Sequence, residues 1–92
     1  MIEAATDRLR VTVPMTLVNA SALREQGDAL LGKELPFDLA AVHEVDSSAL
    51  SVIFAWQRTA QAQGKSLRLT GLPASLVSLA TLYGVDDLLP AD

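Results

Sequence analysis

The stretch "VDSSALSVIFAW", Val45 to Trp56, sets an acid and two serines directly before a strongly apolar run. Read as a helix opening at Ser47, with about a hundred degrees of rotation per residue, the run separates into two stripes. Ala49, Val52, Ile53, Trp56 and Ala60 gather on one side, which is the expected core face. Ser47, Ser51, Phe54 and Arg58 gather on the other, with Leu50 at its border. Asp46 is the expected N-cap, because its carboxylate can accept the unpaired N–H groups of the first turn. The helix should run to about Gln63 and close at Gly64 in a left-handed conformation.

Working outward from this helix, Ile2 to Ala5 reads as a short edge strand and Thr6 to Arg8 as a turn. "LRVTV" (Leu9 to Val13) alternates as a half-buried strand does, and Pro14 ends it. Leu17, Ala20, Leu23, Leu30 and Leu31 fit a helical stripe over Leu17 to Leu31, with Gly27 a weak point inside it. "PFDLAAV" (Pro36 to Val42) reads as a more buried strand, followed by a turn at His43-Glu44. Beyond the Ser47 helix, Ser66 to Thr70 is a further strand and Gly71-Leu72 a turn. Pro73 opens a last helix that reaches Tyr83 and stops at Gly84. Leu76, Leu79, Ala80 and Tyr83 form the core stripe of that helix, leaving Ser78, Thr81 and Leu82 outward; the leucines of the tail, Val85 to Asp92, should pack back. The alternation of strand and helix predicts an α/β fold, a small mixed sheet of about four strands with helices packed on it.

The 92 residues are enough for one compact domain, spanning 1–92. Half the residues are hydrophobic and 20% are charged, so the chain can bury a core. Its mean hydropathy of +0.31 is high for a free-standing domain, and surplus apolar surface finds a natural place against a partner. A net charge of −4 and the lack of any Lys/Arg cluster argue against nucleic acid and against a polybasic membrane anchor. With no cysteine, disulfides, thiol chemistry and cysteine-ligated zinc are excluded. Glu3 and Asp7 fall where a secretory signal would need apolar residues, and the Ala49–Trp56 run is too short to span a bilayer. A reducing cytoplasm is compatible with this composition without being demanded by it, and no direct membrane insertion is expected.

Phe54 has two readings. Either a loop or the N-terminal strand covers it, or it stands tolerated in solvent; or else, with Ser47, Ser51 and Arg58 around it, it anchors a protein partner. An aromatic residue with a polar rim and one arginine is a usual composition for an interaction hot spot. If the Ser47 helix and the last helix lie on one side of the sheet, Thr81 and Leu82 extend the surface that Phe54 begins.

At "DSSAL" (Asp46 to Leu50), following a buried strand and opening a helix, the chain resembles the STAS domain family. Such domains occur in anti-sigma factor antagonists and in the cytoplasmic parts of anion transporters. "QGKSLRLTGLP" followed by "LATLYGVDDLLP" is most similar to one branch, the small STAS subunit of the Mla-type ABC transporter that moves phospholipids between the two membranes of Gram-negative bacteria. The resemblance implies a STAS-like fold and a subunit that binds the cytoplasmic ATPase and supports its assembly and activity. It would then sit at the inner membrane only through that partner and help maintain outer-membrane lipid asymmetry. Ser47 matches the hydroxyl that antagonist members have phosphorylated by a partner kinase and that transporter members place at the ATPase contact; Asp46 matches the acid before it. The chain departs from the common pattern at Ala49, where many members have glycine, and Ser48 adds a second hydroxyl. A phosphate on Ser47 would add about two negative charges beside Asp46, and an unpaired charge buried in an interface costs several kcal/mol. Asp46, Ser47 and Ser48 also suffice as plain capping residues, and capping does not exclude a contact role.

His43, Asp46 and Ser47 supply the residue types of a hydrolase triad, but neighbours on one short turn do not place a base between nucleophile and acid beside an oxyanion pocket. His43 with Glu44 and Asp46 lacks the spacing of a dedicated metal site, and no Gly-rich phosphate loop is present, so no cofactor is expected. The sequence thus predicts a binding function and no enzyme. Its leading partner is an ABC transporter ATPase subunit, contacted through Ser47, Leu50, Ser51, Phe54, Arg58, Thr81 and Leu82. The alternative is an anti-sigma factor antagonist, bound by a serine kinase and switched at Ser47.

Overall fold

The computed structural model describes residues 1–90; the last two residues of the tail, Ala91 and Asp92, lie outside the described residues. Along the chain run β1 (Ile2–Ala4), β2 (Leu9–Val11), α1 (Leu17–Leu30), β3 (Phe37–Asp38), α2 (Ser47–Ala62), β4 (Leu69–Thr70) and α3 (Ala74–Leu82). Short 3-10 turns occupy Leu31–Lys33 and Asp86–Leu88. The sheet order is β1-β2-β3-β4, with β1 antiparallel to β2 and the other pairs parallel. This is the mixed α/β sheet that the alternation of elements predicts.

The strands are shorter than their sequence patterns suggest, and local turn chemistry explains the largest difference. Pro36–Val42 contracts to Phe37–Asp38 because Asp38 Oδ1 accepts the Ala40 N–H at 2.9 Å and the Val42 N–H turns back onto Leu39 O at 3.0 Å. Leu9–Val13 likewise ends at Val11, and Ser66–Thr70 begins only at Leu69. Pairing nevertheless continues past the strand ends: Leu9 N–H donates to Pro36 O, Phe37 N–H to Arg68 O and Leu39 N–H to Thr70 O, each at 2.9 Å.

Leu9 faces Phe37, and Phe37 faces Leu69, so one row of large apolar side chains crosses the sheet and is buried. The adjacent row, Arg10, Asp38 and Thr70, has intermediate exposure, with ion pairs from Arg8 to Asp38 at 3.2 Å and from Arg10 to Glu3 at 3.4 Å. Onto the apolar row packs Trp56, which is fully buried and stacked on Phe37 with ring centroids 4.6 Å apart. Its Nε1–H is shared between the carbonyls of Leu23 and Arg24 in α1, at 3.2 Å each. A buried indole needs such a polar partner, and reaching it brings α1 hard against the ring. Gly27 makes this approach possible: a Cβ there would lie inside contact distance of Trp56 Nε1 and Cε2. The residue that looks like a weak point in α1 is therefore its contact notch.

Three expectations about the helices need correction. Leu17 is not part of the core stripe; it is the first residue of α1, at the end of the helix, and is 76% exposed. Pro73 caps α3 from outside instead of forming its first turn. Tyr83 follows the last helical residue and is 57% exposed, so the core side of α3 rests on Leu76 and Ala80, with Leu79 at its margin.

Candidate functional site

The rotational reading of α2 holds on its inner side: Ala49, Val52, Ile53, Trp56 and Ala60 are all buried. On its outer side Ser47, Ser51 and Arg58 are exposed, while Phe54 is half-buried and packs against the margin of the core. Leu50, placed at the border by the wheel, is only 6% exposed and belongs to the core with one edge showing.

Asp46 sets the geometry at the head of this face. A single parallel bridge joins Met15 to Val45, and the Asp46 N–H donates to Met15 O at 3.3 Å, which brings the start of α2 beside the start of α1. Asp46 Oδ1 accepts the Ser48 N–H at 2.8 Å as the expected cap of α2. Its other oxygen, Oδ2, accepts the Leu17 N–H at 3.0 Å, capping α1, whose own N-cap residue Thr16 supplies no side-chain bond. The Leu17 N–H is the main reason that the Asp46 carboxyl lies below its ordinary value. Partial desolvation works against this, and the Ser48 N–H and hydroxyl add to the lowering. With Asp46 engaged twice, the Ser47 hydroxyl is left at the surface with no hydrogen-bond partner among the described residues.

Two shallow clefts meet at Phe54. One, of about 330 Å³, is lined by Ser47, Leu50, Ser51, Phe54, Tyr83 and Val85. The other, of about 460 Å³, continues along α2 past Gln57, Arg58 and Gln61, with Val85 and Leu88 as its far wall. Val85 of the C-terminal segment thus lines both clefts beside Phe54, where a loop or the N-terminal strand was the expected neighbour. The geometry of the α3 terminus puts Val85 there. Gly84, at φ +70°, allows the Val85 N–H to reach back to Ala80 O at 2.8 Å and its own N–H to reach Thr81 O at 3.0 Å. This is the double bond of a Schellman ending, which returns the residue after the glycine to the helix.

Thr81 and Leu82, expected to extend the surface, are exposed but line neither cleft, and the Thr81 hydroxyl is tied to Val77 O at 3.0 Å. Tyr83, Val85 and Leu88 take that place. The "YGV" tripeptide after a helix was the signal available for Val85; nothing local marks Tyr83 or Leu88 as surface residues. A third groove, of about 250 Å³, runs between α1 and α2 along Ala20, Ser21, Arg24, Ser51 and Val52, so Ser51 stands on the ridge between two depressions.

A family model described as "Mlab, STAS domain" matches residues 2–90. The chain belongs to the STAS domain family. Two solved structures share the fold of this STAS domain. One is a candidate anti-sigma factor antagonist from Thermotoga maritima, with a TM-score of 0.74 at 15% identity over 99% of this chain and 83% of that one. The other is the anti-sigma factor antagonist SpoIIAA in its unphosphorylated form, with a TM-score of 0.65 at 11% identity over 89% of this chain and 81% of that one. At these identities the likeness concerns the fold alone. No curated protein matches this chain by sequence. Among its described residues, no helix is long and apolar enough to cross a membrane.

Proposed function

We propose that this STAS domain is a non-catalytic subunit that docks on the ATPase of a phospholipid-trafficking ABC transporter, through the outward face of α2. The observation that carries the transporter reading is the match of residues 2–90 to a family model named for Mlab. The geometry supports docking by α2: Phe54 is half-buried between two open clefts, and exposed Ser47, Ser51 and Arg58 form a polar rim around an apolar centre. On this reading the protein is cytoplasmic and reaches the inner membrane only through its partner. ATP hydrolysis belongs to that partner.

A second reading, an anti-sigma factor antagonist, is favoured by one feature of the site. The Ser47 hydroxyl is exposed at the first position of α2, without a hydrogen-bond partner among the described residues, and so is open to a kinase. A phosphate there would meet the helix N-terminus favourably and the Asp46 carboxylate unfavourably.

Purification of the tagged chain from its native host, expressed at its native level, separates the two. Stoichiometric recovery of an ABC ATPase supports the first reading. Recovery of a serine kinase, with Ser47 phosphorylated in its presence, replaces it with the second.

A further inference from the structure

The cleft on the Arg58 side of Phe54 carries a chemistry of its own. Arg58 is the one charged side chain in α2, it is exposed, and it forms no ion pair among the described residues. It lines the larger cleft together with the amides of Gln57 and Gln61 and the apolar side chains of Phe54, Val85 and Leu88. Among the described residues, no acidic side chain lines this cleft. A guanidinium presents a planar fork of N–H donors that fits a carboxylate through paired bonds, while an amide side chain both donates to and accepts from a peptide backbone.

We infer that this cleft binds a short segment of a protein partner in which an apolar side chain, seated against Phe54, Val85 and Leu88, lies close to one Asp or Glu held by Arg58. The inference rests on the reading of α2 as the docking helix and specifies which part of the partner it takes. Charge favours a peptide over a lipid surface. The cleft offers a single cation, whereas an anionic membrane is held by several. The exposed Asp86 and Asp87 on the neighbouring turn, together with a net charge of −4, repel an extended anionic surface far more than a single carboxylate seated on Arg58. The contact with a lone carboxylate is partly screened, so it contributes selectivity more than affinity.

The test pans a phage library of short random peptides against the full chain and against Arg58→Glu, a substitution at an exposed site that keeps the fold. Peptides selected on the unaltered protein should carry Asp or Glu near a large apolar residue and shift the NMR methyl signals of Val85 and Leu88. They should bind Arg58→Glu about fivefold more weakly at low salt, and peptides selected on that variant should lose the acidic preference. Selection without an acidic preference, equal binding to Arg58→Glu, or failure to enrich any peptide that shifts Val85 and Leu88 would overturn the inference. So would Arg58-dependent sedimentation with phosphatidylglycerol vesicles, which would assign the cleft to a lipid. Failure here leaves the ATPase reading in place, since that is read from co-purification. Loss of ATPase recovery with intact peptide selection leaves this inference in place.

Discussion

Asp46 and Leu17, 29 positions apart, are joined by a 3.0 Å hydrogen bond from the Leu17 N–H to Asp46 Oδ2, while Asp46 Oδ1 accepts the Ser48 N–H at 2.8 Å. One carboxylate therefore caps the N-termini of two helices and ties their first turns together. The candidate docking face begins one residue later, at Ser47, so its placement depends on this shared cap.

Replacing Asp46 with asparagine leaves a single carbonyl oxygen for two N–H donors, and alanine leaves none. Thermal unfolding should show a graded loss, with Asp46→Asn melting below the unaltered chain and Asp46→Ala several degrees lower again. Equal melting temperatures for the two variants would contradict a cap shared between α1 and α2.

The same carboxylate predicts an acid-side pH dependence. Its pKa is lowered on folding, so the unfolded chain binds the proton more tightly and folding is favoured by the ionised form. The contribution is complete above the ordinary aspartate value of about 3.9 and is lost as pH falls through the lower folded value. Urea unfolding at stepped acidic pH should show a steeper decline for the unaltered chain than for Asp46→Asn.

Gly27→Ala should destabilise the protein although alanine is the better helix former by about 1 kcal/mol. The added methyl meets the rigid, fully buried Trp56 indole, and overpacking of this kind costs about 1–3 kcal/mol. Urea denaturation followed by tryptophan fluorescence measures both the loss and any change in the environment of the ring.

Neighbouring positions on α2 should behave oppositely. Leu50 is 6% exposed, so Leu50→Ala should cost about 2–5 kcal/mol of stability. Ser51 is exposed on the ridge between two grooves, and Ser51→Arg should leave stability within about 0.5 kcal/mol while blocking partner binding. Circular dichroism melts alongside a binding assay distinguish the two.

The phase of α2 was legible because five apolar residues recur at helical spacing around Trp56, and its cap because an acid stands immediately before the helix. The α/β order followed from alternating patterns in the same way. Periodicity carries no information about where a helix runs out, so Leu17 and Tyr83, at the two ends of their helices, fit a core stripe yet stand at the surface. Nor does a glycine inside a helix announce the ring that will press on it, as Trp56 presses on Gly27. The second bond of Asp46 depends on the Met15–Val45 bridge, a contact between distant segments that no local pattern encodes. The two clefts could not be foreseen either, since their far wall is built by Val85 and Leu88 from the tail.

The most direct measurement is the affinity of the purified chain for the ATPase recovered with it, compared between the unaltered protein and Phe54→Asp by isothermal titration calorimetry. A hot-spot aromatic should account for at least about 2 kcal/mol of binding, or roughly thirtyfold in Kd. The account predicts a loss of that size or greater with a near-native circular dichroism spectrum. Undiminished binding by a folded Phe54→Asp protein would contradict it.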